Sequence, residues 1–152
     1  MTTSGYSNRP LAEKLGIKAG HTLAVLGEPD GFRDWLAPLP DGVRARKSIG
    51  RSPDVVMIFA KRRVALPRRV AQAAKAIFPD GAIWVGWPKK SSNVPSDVTG
   101  DVVREIALPL GLVDTKVCAI SDVWSGLRIV WRRELRTGLG PGEPPPPAAA
   151  TG

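Results

Sequence analysis

Residues 54–87 read DVVMIFAKRRVALPRRVAQAAKAIFPDGAIWVGW, and their patterning decides the fold. The opening, Asp54 to Ala60, is one aspartate followed by an unbroken apolar run rich in β-branched residues and too short for an ordinary helix, so it reads as a strand buried on both faces. From about Pro67 to Phe78 the period changes: Val70, Ala74, Ile77 and Phe78 fall on one face of a helix, which Pro79 and Gly81 end. Ala82 to Trp87 is a second buried run. A strand, an amphipathic helix and another strand imply parallel pairing through a right-handed crossover, because the helix must cover a face of the sheet. Trp84 and Trp87, three apart in a strand, point to opposite faces and are expected to pack under helices.

Upstream, Thr22 to Leu26 is another apolar run bounded by glycines and is expected to be the first core strand. Before it, Ser7, Pro10, Leu11, Leu15 and Gly16 outline a brief helix. After it comes the loop GEPDGF and a short helix over Phe32 to Leu36. Residues 43–53 are basic and weakly patterned, and are expected to be loop or edge strand. Downstream, PKKSSNVPSDVTG (88–100) is a polar loop, and Thr99 or Ser96 can cap a helix with Val102, Val103, Ile106 and Leu110 in one stripe. Pro109 should kink or shorten that helix, and Gly111 closes it. Lys116–Ile120 and Leu127–Trp131, joined by SDVWSG, read as an antiparallel hairpin whose turn, Asp122 to Gly126, carries Trp124. The expected architecture is α/β: a three-layer Rossmann-like mixed sheet of about five strands, mostly parallel, with a C-terminal antiparallel hairpin.

With 152 residues, 43% of them hydrophobic and 24% charged, the chain suits one folded domain over residues 1–136. Residues 137–152, TGLGPGEPPPPAAATG, have almost nothing to bury and are expected to be a disordered tail. No apolar run is long enough to cross a bilayer and MTTSGYSNRP does not look like a secretory leader, so the expected location is cytoplasmic. Cys118 is the only cysteine and His21 the only histidine. Together they exclude an intrachain disulfide and a Cys-based metal cluster, and no metal site is expected. The net charge of +8 is clustered at Arg44–Arg51, Lys61–Arg69 and Arg132–Arg136. Such a surface attracts anionic partners, or is simply a solvated basic face.

The element order, with LGIKAGHTLAVLGEPDG leading into and through the first strand and a closing hairpin, resembles the core of class I S-adenosylmethionine methyltransferases. That resemblance implies a Gly-rich loop after the first strand and an acid closing the second. Here the loop is Gly27-Glu28-Pro29-Asp30-Gly31, Pro29 has no amide to donate, and no apolar strand ending in an acid lies within residues 37–53. The stretches GYSNRPLAEKLGIKAG, WPKKSSNV, DVVREIALPLGLVDTKVCAI and VWSGLRIVWR more specifically resemble a bacterial, mainly actinobacterial, family of small cytosolic proteins known as a domain of unknown function. That likeness implies a housekeeping or regulatory role and assigns no catalytic residue.

Open α/β sheets bind ligands outside the carboxyl ends of their strands. On that edge the sequence places Glu28 and Asp30 after the first strand, and Lys61, Arg62 and Arg63 after the second. Lys89, Lys90, Ser91, Ser92 and Asn93 follow the third, with Trp124 from the hairpin turn. Counter-charge and small hydrogen-bonding side chains suit an anion. No nucleophile–base pair is evident, so the first expectation is a non-catalytic binding or regulatory module, without a cofactor, for a phosphate-bearing ligand or an acidic protein. The alternatives are a divergent S-adenosylmethionine-dependent methyltransferase and a weak, non-specific nucleic-acid binder; no membrane partner is expected.

Overall fold

The structure, a computed structural model, describes residues 9–136. The tail expected over residues 137–152 and the helix start expected at Ser7 lie outside the described residues. In chain order the elements are α1 (Leu11–Lys14), β1 (Thr22–Leu26), α2 (Phe32–Leu36), β2 (Arg44–Arg46), β3 (Val55–Phe59), α3 (Leu66–Ile77), β4 (Ala82–Pro88), α4 (Gly100–Ala107), β5 (Leu112–Ala119), β6 (Trp124–Trp131) and α5 (Arg133–Arg136). Single 3-10 turns lie at Arg63–Ala65, Lys90–Ser92 and Leu108–Leu110, the last containing Pro109.

The strands form one sheet in the order β2-β1-β3-β4-β6-β5. β2, β1, β3 and β4 run parallel, whereas β6 is antiparallel to both β4 and β5. The chain leaves β1 toward β2 on one side and returns to β3 on the other, so the strand order reverses between β1 and β3. A cleft opens at such a switch point because the connections leaving the two strands diverge.

Six strands stand where about five were expected, the addition being β2. It is an edge strand of three residues, paired through Thr22↔Arg44, Leu23↔Ala45 and Ala24↔Arg46. The hairpin also differs from expectation, because Trp124 begins β6 rather than sitting in the turn. The Ser121 hydroxyl oxygen accepts from the amides of Val123 and Trp124, both at 3.1 Å. The Ile120 amide donates to the Trp124 carbonyl at 2.9 Å, which draws Trp124 into the ladder. At α4 the Thr99 hydroxyl accepts from the Val102 amide at 3.2 Å and caps the helix, while Ser96 serves the Val98 amide instead.

Each face of the sheet has its own core. On one, Leu66, Val70, Ala73, Ala74 and Ile77 of α3 and Val103 and Ala107 of α4 pack on Val56, Ile58, Ile83, Val85 and Ile129. On the other, α1 and α2 bring Ala12, Leu15, Phe32 and Leu36 onto Leu23, Val25, Met57, Phe59 and Trp84. Trp84 is fully buried, and its indole N–H donates to the Leu15 carbonyl at 2.9 Å. Trp87 packs against the opposite core, as alternation requires. Arg104 ties α4 to β5 by donating to Asp114 at 3.1 Å, and that hydrogen bond raises the guanidinium pKa further. Among the described residues no helix is long and apolar enough to cross a membrane.

Candidate functional site

The carboxyl edge is built around the turn that leaves β1. Gly27 and Gly31 have φ of +69° and +86°, a left-handed region that side chains disfavour. A Cβ on Gly27 would also collide with the carbonyl oxygen of Phe59, so glycine is what lets the turn lie against the end of β3. Across Gly31, the Phe32 amide donates to the Pro29 carbonyl at 3.2 Å. Glu28 is held by Arg33 in an ion pair of 3.0 Å.

This turn divides two clefts. The one over β3 has a volume of about 570 Å³, with Glu28 and Asp30 on one wall and Lys61 and Arg62 on the other. Phe59, Val94, Val123 and Trp124 supply its apolar surface. Trp124 is only 8% exposed and meets Phe59 edge to face at 5.2 Å, and Phe59 meets Phe32 in the same way at 4.8 Å. The indole therefore covers core and lines the cleft at once. The second cleft, toward β2, has a volume of about 720 Å³, and Arg33, Asp34, Lys47 and Arg69 join the turn in lining it.

Of the site residues expected from sequence, Glu28, Asp30, Lys61, Arg62 and Trp124 are thus brought together. Lys89, Lys90, Ser91, Ser92 and Asn93 are placed beside the cleft over β3 and do not line it. They form a turn of their own: the Ser92 hydroxyl donates to the Lys89 carbonyl at 2.6 Å and accepts from the Val94 amide at 3.2 Å. Asn93 closes the turn at φ +63°, and the Lys89 amide donates to the Val123 carbonyl at 2.7 Å. Lys90, Ser91 and Asn93 are exposed. Sequence reasoning missed Lys47 and Arg69. Lys47 follows a strand too short to recognise, and Arg69 occupies what reads as a solvent position in the first turn of α3.

No histidine, cysteine or serine lines either cleft among the described residues. His21 lies at the amino edge, where its Nδ1 accepts from the Lys18 amide at 3.1 Å. Cys118 packs against the core, and burial pushes its thiol pKa up, which makes it a poor nucleophile. Among the described residues no three His, Cys, Asp or Glu side chains are grouped to hold a metal. The edge can bind a ligand by charge, hydrogen bonds and an apolar wall, but it shows no nucleophile–base pair.

No protein-family model matches the sequence, and no curated protein does. Solved structures do match. A putative type 11 methyltransferase from Sulfolobus solfataricus is 12% identical over 88% of this chain and 95% of its own, with a TM-score of 0.55. The magnesium protoporphyrin IX methyltransferase of Synechocystis with bound SAM is 9% identical over 80% of this chain and 74% of its own, with a TM-score of 0.53. A putative methyltransferase from Thermoplasma acidophilum is 10% identical over 84% and 76%, at 0.52. At such identities the likeness is one of fold: a mixed, mostly parallel Rossmann-like sheet shared with class I methyltransferases.

Proposed function

We propose that the protein is a divergent S-adenosylmethionine-dependent methyltransferase whose cofactor cleft lies between the ends of β1 and β3. The observation that carries this reading is the open cleft at the switch point of a methyltransferase-type sheet, beneath a turn that only glycine can hold against β3. The residues present suit such a ligand. Phe59, Val94, Val123 and Trp124 offer an apolar wall to a flat heterocycle. Glu28 and Asp30 offer carboxylate oxygens to hydroxyl or ammonium donors. When bound, S-adenosylmethionine supplies an electrophilic methyl group, and its in-line displacement asks the protein for alignment rather than a nucleophile. The missing nucleophile–base pair is therefore compatible with this chemistry. The resemblance to an actinobacterial family adds no activity, and a single half-buried thiol suits a reducing cytosol.

One observation favours a second reading, a non-catalytic module for a phosphate-bearing ligand. β2 ends in Arg46, whose guanidinium donates to the carbonyls of Ser48, Ile49 and Arg51, and the next residue, Lys47, lines the cleft where dinucleotide-binding sheets place a carboxylate on ribose hydroxyls, or a cation when the ribose carries phosphate. Thermal melts separate the two. S-adenosylmethionine and S-adenosylhomocysteine should each raise the melting temperature, by the equivalent of about 2.7 kcal/mol at a hundredfold excess over Kd. A shift confined to nucleoside phosphates would transfer the cleft to the second reading, and no shift with either thioether or sulfonium ligand would remove the first.

A further inference from the structure

We propose that the rim of the cleft formed by Lys61, Arg62, Arg68, Lys89 and Lys90 is a docking surface for a nucleic acid, held by its phosphates. Register puts these groups side by side. Phe59 pairs with Gly86 across β3 and β4, so the two chains leave the sheet together, one into Lys61 and Arg62 and the other into Lys89 and Lys90. The 3-10 turn at Arg63–Ala65 then leads directly into α3, whose first turn carries Arg68.

Lys61 and Arg62 share the cleft over β3 with Glu28 and Asp30, but among the described residues the rim's cations form no ion pair with them. The Arg63 guanidinium pairs with Glu105 at 3.0 Å, whereas Asp97 accepts only from the Arg63 backbone amide at 2.6 Å and stands as the one carboxylate in the lining of the groove beside Lys61 and Arg62. No ion pair involves Lys61, Arg62, Arg68, Lys89 or Lys90 among the described residues. Lys61, Arg62, Arg68 and Lys90 are also exposed. A shallow groove of about 410 Å³ runs along the rim between Lys61, Arg62 and the loop Val94–Asp97, extending the cationic track beyond the cleft over β3.

The same surface argues against other occupants. Stable protein–protein contacts are centred on apolar anchors, and firm seating on a membrane surface adds an inserted apolar face to the attraction of its charges. Here Val64, 86% exposed, is the one large exposed hydrophobic residue among the described residues of the rim. A row of cations with one apolar side chain matches a ligand of regularly repeated charge, which gains its affinity by releasing counterions. This inference does not require the cleft to bind S-adenosylmethionine.

The experiment compares two charge reversals of equal size on the full chain, using fluorescence anisotropy with labelled single-stranded RNA and duplex DNA over a salt series. Arg68→Glu with Lys90→Glu changes the rim, and neither residue lines the cleft over β3. Lys18→Glu with Arg133→Glu removes the same charge from the opposite, amino edge. Wild type should bind at low salt, with log K falling against log salt at a slope of roughly −4 for duplex, the value for four to five neutralised phosphates. The rim variant should bind at least tenfold more weakly with a slope shallower by about 2, and the amino-edge variant should resemble wild type. Equal losses in both variants, no binding at low salt, or binding to anionic lipid vesicles with none to nucleic acid would each overturn the proposal. Unchanged melting temperatures establish that both variants fold. A retained S-adenosylmethionine shift in the rim variant distinguishes loss of docking from loss of the cleft.

Discussion

Gly27 is where backbone conformation and site geometry meet. Its φ of +69° and the Phe59 carbonyl leave no room for a side chain, so Gly27→Ala must push the turn off β3. Strain of this kind costs on the order of 1–3 kcal/mol, which a melt should record as a loss of several degrees, together with loss of any ligand-induced shift. A variant that melts with wild type would show that the turn relaxes freely and does not shape the cleft. Gly31→Ala is the comparison: at φ +86° it carries the same left-handed strain, but its Cβ would meet the Trp35 indole, nearest at Nε1 3.2 Å, rather than backbone of β3, so it should cost stability without moving the turn off β3. At this scale the sequence was readable where a residue's position followed from the end of a strand: Glu28, Asp30, Lys61 and Arg62 all reach the cleft for that reason. Ser92 misled because a serine near a strand end is as able to close its own turn as to meet a ligand, and here its hydroxyl is spent on Lys89 and Val94.

At the scale of elements, burial on both faces made a strand legible. Every residue of β3 is buried, and β4 is apolar across nearly its whole length; such runs need no alternation to be recognised. β2 shows the opposite case, with half-buried Ala45 between two arginines and no hydrophobic period to read. The start of β6 was obscured because Ser125 and Gly126 carry turn chemistry, although their partners across the ladder are Trp87 and Gly86. The central position of β3 gives a direct test. Ile58 is fully buried and pairs with Leu26 on one side and Val85 on the other. Ile58→Asp puts a carboxylate among apolar side chains with no partner, a cost of several kcal/mol by order of magnitude. The variant should be insoluble or lack a cooperative melt, whereas Ile58→Val should stay folded and lose about 0.5–1.5 kcal/mol. A cooperative, wild-type-like melt of Ile58→Asp would contradict the central placement of β3.

At the scale of the whole molecule, the sheet has two parts with different work to do. The parallel half carries the switch point and both clefts, and the antiparallel pair β5–β6 closes the other side while sending Trp124 back to the cleft wall. Hydrogen exchange can locate a ligand on this plan without presuming its chemistry, because protection reports local opening segment by segment. Without ligand, amides of β1, β3, β4 and β6 should exchange slowest, since they are paired on both sides. β2 should exchange fast, because its three residues pair on one side only. With S-adenosylhomocysteine added, new protection should appear in the Gly27–Gly31 turn, at Phe59–Arg62 and around Val123, the segments that line the cleft over β3. Segment 89–93 should be unchanged, because its residues close their own turn beside that cleft. A nucleoside phosphate should instead extend protection to Lys47 and the first turn of α3, where Lys47 and Arg69 line the cleft toward β2. Protection confined to 89–93 with either ligand would move the site out of both clefts and onto the lysine-bearing turn, and the methyltransferase reading would lose the cleft it rests on.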